Sequence, residues 1–364
     1  MIERPVPFLA LTPREDAAAI DAAIRRVVDS GWFILGPEVD AFEREFAAAS
    51  GAAHAVGVGT GTDAIALILR ALGIGSGDEV ITAPLSAAYS ALAVMMCGAR
   101  PVFADLDEER LTLDPKRVEA AITPRTRAIL PVHIYGQAAD MTALAAIAAH
   151  HSLTIVEDCC QAHLATCNGR PVGTFGAAGA FSFYPTKNLG ALGDGGAVIT
   201  NDAALADRIK RLRNGGQVDR YHHAEFGVNS RLDEMQAAVL RARLAFLPDW
   251  TLRRRALASA YRAALDGAPV RVPPEFDAGH VYHLFPIRTP DRATLQAALS
   301  AQGIGSLVHY PVPLPRQPAI APALPDPCPI ADRVCDEVLS LPLYPALTEA
   351  DVARVASAVT CVSR

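Results

Sequence analysis

From residue 54 to residue 158, short apolar runs alternate with amphipathic ones at a spacing that leaves few folds open. HAVGV (54–58), DEVITA (78–83), PVFAD (101–105), AILPVH (128–133) and LTIVED (153–158) each have the length and apolar content of a strand buried on both faces. Between them, segments 63–72, 86–96, 114–122 and 140–151 carry helical periodicity. Strands that alternate with helices imply crossover connections, hence a parallel sheet covered on both sides. AGAFSFY (178–184) and GGAVIT (195–200) lie too close together for a helix between them, so that pair is expected to be antiparallel.

Helical patterning also spans 16–30 and 37–49, and it returns at 203–213 and 232–247. After Pro248 the texture changes to a basic helix at 252–265, proline-rich links and shorter segments. The expected division is a large α/β domain with N-terminal helices (1–248) and a smaller α+β domain (249–364). A chain of 364 residues with 51% hydrophobic content can fill both cores. The net charge of −6, with 33 basic residues scattered, offers no basic stripe for nucleic acid. The longest apolar stretch, 86–99, is too short for a membrane span and is interrupted by serine and tyrosine. MIERPVPFLALTPRED carries acid early and lacks the apolar core of a signal peptide, so a soluble, cytoplasmic protein is expected. The seven cysteines (97, 159, 160, 167, 328, 335 and 361) are irregularly spaced and form no C-x-x-C pair. They are expected to pack as small apolar residues, with no metal site.

Ligands of open α/β sheets collect outside the carboxyl ends of the strands, and four features of this chain fall there. GVGTGTD (57–63) turns from a strand into a helix on glycines. Amides of Gly61, Thr62 and Asp63 at such a helix start point outward and attract an anion such as phosphate. A plain tight turn, with Asp63 favouring the first helical turn, has the same sequence. Asp158, after Glu157, closes the strand LTIVED either as a helix cap or as a functional carboxylate.

Ser182 and Lys187 belong to FSFYPTKNLGALGDGG (181–196), where one lysine sits on the short link between two apolar runs. Burial pushes a lysine towards its neutral, nucleophilic form, as imine formation requires; in a solvated loop it is only a surface charge. GVNSRLDEMQAAVL (227–240) carries Ser230 and Asp233, expected to form a capping box that sets Asn229 beside a second helix start. An anion cradle, a strand-end carboxylate and an amine on a glycine-bounded loop are together the parts that hold pyridoxal phosphate. Many α/β proteins carry a loose set of such residues, so spacing alone leaves the alternatives open.

Longer motifs narrow them. GWFILGPEVDAFEREFA (31–47), GSGDEVIT (75–82), VHIYGQAADM (132–141), VEDCCQAH (156–163), FSFYPTKNLGALGDGG (181–196), YHHAEFGVNSRLDEMQAA (221–238), HYPVP (309–313) and LSLPLYP (339–345) occur in that order. Across nearly its whole length the chain resembles the DegT/DnrJ/StrS sugar aminotransferases, which have the aspartate aminotransferase fold. The resemblance implies a large, mostly parallel seven-stranded sheet domain with a smaller α+β domain, and a homodimer with active sites at the subunit interface. By motif position, Lys187 is the cofactor-linking lysine and proton shuttle, Asp158 pairs with the pyridine nitrogen, and Gln161 contacts the ring hydroxyl. Ser182 with the amides of Gly61 and Thr62 holds the phosphate, and Asn229 reaches the phosphate of the neighbouring subunit's cofactor. His309, Tyr310 and Tyr184 fall in the substrate region.

The implied reaction moves an amino group from L-glutamate to a nucleotide-linked keto sugar, with GTGTDA (59–64) similar to members that aminate C3. A C4 keto sugar or a cyclitol ketone is the alternative substrate, and a non-catalytic sensor of the same fold is the alternative function. A related sugar dehydratase carries histidine at the lysine position, against which Lys187 speaks. Three departures stand out. Ala87 in PLSAAYS (84–90) takes the place of the family's cofactor-stacking aromatic, with Tyr89 the nearest substitute. Pro315 replaces a histidine near the substrate region, and Cys159, Cys160 and Leu164 stand where alanine and glycine are usual.

Overall fold

The alternating apolar runs become strands β1 (His54–Val58), β2 (Glu79–Thr82), β3 (Arg100–Phe103), β4 (Thr126–Leu130) and β5 (Thr154–Asp158). The structure is a computed structural model that describes residues 4–320 and 327–362, so the first three residues of the N-terminal stretch weighed above lie outside it. A small hairpin, β6 (Thr166–Cys167) and β7 (Arg170–Pro171), precedes β8 (Ala178–Ser182) and β9 (Gly196–Thr200). Seven of these strands form one sheet in the order β1-β9-β8-β5-β4-β2-β3. All pairings from β8 to β3 are parallel, and β9 runs against both of its neighbours. The expected antiparallel pair is therefore present, and it reverses one strand in an otherwise parallel sheet.

Register decides what the sheet presents at its carboxyl edge. Gly196 of β9 pairs with Val58 on one side and with Ser182 on the other, while Asp158 pairs with Ala180 of β8. The ends of β1, β5 and β8 thus lie side by side. Side chains alternate across the pleat. In β9, Val198 joins one core, whereas Ala197 and Ile199 join the other.

Helices α1 (Ala17–Ser30), α2 (Pro37–Ala49), α3 (Gly61–Ala71), α4 (Tyr89–Met96), α5 (Pro115–Ala120) and α6 (Met141–His150) follow the expected order. So do α7 (Ala203–Arg213), α8 (Glu234–Leu244) and α9 (Leu247–Ala264). One face of the sheet packs on α3 and α7 through residues such as Val58, Ile65, Val156 and Ile209. The other packs on α2 and α6 through Phe42, Phe46, Phe181, Phe183 and Leu144. A hairpin of β10 (Gln217–Asp219) and β11 (His222–His223) lies between α7 and α8.

A separate core gathers Tyr261, Phe285, Leu299, Leu341 and Val355. It is built from α9, α10 (Arg292–Ala301), α12 (Glu349–Val362) and the antiparallel pair β12 (Phe285–Arg288) and β13 (Val338–Leu341), with α11 (Pro329–Glu337) alongside. Val6 joins this core and bridges to Ile304. Asp105, just past β3, accepts the N–H groups of Ile330 and Ala331 at 2.9 and 3.0 Å, so a large-sheet residue caps α11. Among the described residues no helix is long and apolar enough to cross a membrane.

Three local expectations are corrected. Pro248 does not interrupt helix but sits in the first turn of α9, where its missing N–H has no intrahelical partner to lose. The run 232–247 accordingly splits into α8 and the start of α9. The segment 86–96 turns helical only at Tyr89, because residues 84–88 form the turn that brings Ser86 inward.

Candidate active site

The anion cradle forms from a helix start pressed onto a strand end. Thr60 caps α3 by accepting the N–H of Asp63 at 3.0 Å. The Asp63 amide is therefore occupied, contrary to expectation, while those of Gly61 and Thr62 have no intrahelical partner. An alanine Cβ at Gly61 would lie 2.8 Å from Ser182 Cβ and 2.7 Å from Cys160 Sγ, so glycine is what allows this approach. Behind it, a Cβ at Gly196 would meet the Thr60 carbonyl carbon at 2.4 Å. Ser182 Oγ accepts the N–H of Tyr184 at 3.3 Å, which leaves its proton free to donate. Two amides and a hydroxyl thus converge, as a phosphate requires.

The expected capping box is not formed. Asp233 alone caps α8, accepting the N–H of Gln236 at 2.7 Å. Ser230 instead accepts the Gly59 N–H at 2.9 Å and donates to Asp63 at 2.7 Å, bracing the cradle loop from the side. Asn229 next to it is exposed. Its backbone bridges to Asn214.

Asp158 is buried at the end of β5, where it accepts the backbone N–H of Cys160 at 3.1 Å and the hydroxyl of Ser90 at 2.7 Å. It is not a helix cap. Gln161, buried beside it, accepts the N–H of Tyr135 at 2.7 Å and donates to the Tyr310 hydroxyl at 3.0 Å. This fixes the amide orientation and leaves one Nε2 proton for a ligand. The Tyr135 hydroxyl donates to the carbonyl of His309.

The structure therefore brings Tyr310 onto Gln161. His309 lies beside it with Nδ1 3.0 Å from Ser340 Oγ and its ring stacked on Phe8. Tyr184 is exposed. So is Tyr89, at 62%: with Ser90 turned inward to Asp158, its predecessor projects about 100° away around the helix. Neither tyrosine has a ring contact among the described residues.

Lys187 is held by the turn that its own N–H closes onto the Tyr184 carbonyl at 2.8 Å. It has no ion-pair partner among the described residues. Burial lowers its pKa, opposed by the fields of Cys160 and Asp158. Three imidazoles share its surroundings. Burial, and then the lysine charge, holds His163 at about 3, His309 at about 4 and His283 well below its ordinary value. All three are neutral at neutral pH. Burial pushes the Cys160 thiol up, so it is no nucleophile there.

His133, Glu157 and Cys159 also bring ligand atoms within 4.8 Å of one another. The carboxylate of Glu157, however, already accepts N–H groups from Gly173, Phe175 and Gly176 at 2.7 to 3.0 Å, with His133 at 3.1 Å. His133 Nδ1 accepts the Ala139 N–H at 3.1 Å. This is a closed hydrogen-bond hub that anchors the loop beside Asp158.

The donor set fits pyridoxal phosphate: a cradle that only glycine permits, a buried carboxylate with both oxygens supported, an amide with a spare proton and an unpaired amine. Ser90 and Tyr135 were missed in the sequence. Ser86 and Ser90, four apart in an otherwise apolar stretch, were the available signal; Tyr135 offered none.

The profile of the DegT/DnrJ/EryC1/StrS aminotransferase family matches residues 14–360. A dTDP-3-amino-3,4,6-trideoxy-alpha-D-glucose transaminase of Streptomyces venezuelae is 52% identical over 363 residues, covering 97% of this chain and 95% of its own. The erythromycin biosynthesis sensory transduction protein EryC1 of Saccharopolyspora erythraea is 50% identical over 349 residues, covering 94% and 95% respectively. The crystal structure of S. venezuelae DesV in complex with a ketimine intermediate matches with a TM-score of 0.96 at 50% identity, covering 100% of this chain and 99% of that one.

Proposed function

The chain belongs to the DegT/DnrJ/EryC1/StrS family of pyridoxal phosphate-dependent aminotransferases, and on that premise we propose that it moves an amino group from L-glutamate to C3 of a nucleotide-linked keto-deoxysugar. The observation that carries this reading is the half-buried amine of Lys187, without an ion-pair partner among the described residues and within the field of Asp158, on the same strand-end surface as a helix start free to take a phosphate. The 3-amino sugar named for the S. venezuelae relative supports the C3 position. Bound at this site, the cofactor supplies an aldehyde to which amino groups attach and a protonated ring that accepts electrons.

The geometry supports the following part for the protein's own residues. Gly61 and Thr62 N–H groups with the Ser182 hydroxyl would hold the phosphate. Asp158 would accept from the ring nitrogen, and the remaining Nε2 proton of Gln161 would go to the ring hydroxyl. Lys187, with burial lowering its hold on a proton, takes one from the donor's carbon and returns one to the acceptor's. The neutral histidines add no positive charge around it. His309, Tyr310 and Tyr184 are assigned to the sugar side, and Tyr89 to the exposed face of the ring.

We assign the working form to a homodimer in which Asn229 of each protomer reaches the phosphate held by its partner. Exposed Trp32, Phe33, Ile34, Tyr184 and Leu192 support such a surface. The domain division is placed after residue 248, with Val6 returning to the smaller core. The free thiols at 97, 159, 160, 167, 335 and 361 are in keeping with a cytoplasmic location.

The relative named as a sensory transduction protein favours a second reading, a non-catalytic sensor. The absorption spectrum of the purified protein with L-glutamate decides between them. A visible band that shifts to shorter wavelength, with release of 2-oxoglutarate, supports transfer. A band that glutamate and other amino donors leave unchanged supports the sensor.

A further inference from the structure

Asp158 is supported at both oxygens, and the support on one side continues outward. The Cys160 N–H donates to Oδ1, and Ser90, 2% exposed on α4, donates to Oδ2 at 2.7 Å. Ser86, 4% exposed in the preceding turn, lies 3.0 Å from Ser90 Oγ. A serine hydroxyl has one proton and a carboxylate has none to give. Ser90 must spend its proton on Asp158, so its oxygen accepts and Ser86 is the donor. The chain therefore runs in one direction, from Ser86 to Ser90 to Asp158. Hydrogen bonds in such a chain polarise one another, and those to a charged acceptor are the strong ones. The other groups within the field of Asp158 are Cys159 and Cys160 on the following turn, Lys187 and Tyr310.

We propose that Ser86 and Ser90 form a hydroxyl relay that aims the Asp158 carboxylate at the cofactor's ring nitrogen, which makes Ser90 a positioning residue for the reaction. The relay rests on the assignment of Asp158 given above. It also accounts for the start of α4: the helix register that turns Ser90 inward is the one that leaves Tyr89 exposed.

The test separates aiming from packing by changing the ligand atom that Asp158 serves. Protein stripped of cofactor is titrated with pyridoxal phosphate and with its 1-deaza analogue, in which the ring nitrogen is a C–H. Loss of one hydrogen bond to a charged group predicts that Ser90→Ala binds pyridoxal phosphate about ten- to hundredfold more weakly. Its affinity for the deaza analogue is expected to be unchanged. Ser90→Thr restores the difference between the two ligands, and Ser86→Ala falls between. Equal weakening for both ligands, or none for either, overturns the relay and leaves Ser90 a packing residue. Wild-type protein that binds neither ligand overturns the cofactor assignment itself, and the relay with it.

Discussion

Replacing Gly61 with alanine tests the cradle at its narrowest point. The added Cβ would lie 2.8 Å from Ser182 Cβ, 2.7 Å from Cys160 Sγ and 3.2 Å from Ser182 Cα. Carbon atoms rest at about 3.5–4.0 Å, so the start of α3 must withdraw by about 1 Å. Ser182 cannot yield instead, because β8 is paired on both sides within the sheet. A hydrogen bond of ordinary length stretched by that amount is no longer one. The Gly61 and Thr62 amides are therefore both lost to the phosphate. At about 1.5–3 kcal/mol for each bond to a charged group, cofactor affinity falls by roughly a hundred- to ten-thousandfold. Overpacking itself costs the fold about 1–3 kcal/mol, which melting of the cofactor-free protein measures separately. The assay is titration of stripped protein with pyridoxal phosphate, followed by its visible band. A Gly61→Ala protein that binds the cofactor as tightly as wild type would refute the argument that this helix start carries the phosphate.

Three further outcomes follow from the same geometry. Lys187→Met abolishes transfer from glutamate, and it also changes the response of the cofactor-free protein to alkali. Burial lowers the native pKa of Lys187 below its unfolded value of 10.5, so the native chain holds fewer protons and wild-type stability rises with pH between those limits. Wild-type and variant stabilities that stay parallel as pH rises towards 10.5 would contradict that burial. His163 holds its proton only near pH 3 against 6.5 when unfolded, so its contribution is complete above 6.5 and is lost as pH falls towards 3. His163→Phe should make the acid-side stability slope shallower by about 1.4 kcal/mol per pH unit, measured by urea unfolding at stepped pH. Asp105→Ala removes the cap of α11 and should cost about 0.5–2 kcal/mol by the same method, with no change in cofactor affinity.

Much of the fold was legible because its signals are local. Alternating strand and helix periods over 54–158 describe a parallel sheet without reference to any distant residue, and the short link from 184 to 195 forced one reversed pair. Lys187, Asp158 and Ser182 could be proposed because each stands at the end of an apolar run, where an open sheet exposes its carboxyl edge. Local signals misled where the same short sequence allowed more than one arrangement. Ser230 and Asp233 were both suitable caps; Asp233 took the helix and Ser230 took the cradle loop. The basic helix expected from 252 starts instead at Leu247, because proline is accommodated in a first helical turn.

By itself, then, the sequence determined the order of elements, the sheet class and the presence of an amine, a carboxylate and a glycine-lined helix start. These follow from side-chain periodicity and backbone freedom, which act over a few residues. Only the tertiary structure decided which groups meet. Ser90 reaches Asp158 across 68 positions, Gln161 reaches Tyr310 across 149 and Ser230 reaches Asp63 across 167. Such pairings depend on strand register and on the rotation of each helix against the sheet, and both are set by the packing of the whole core.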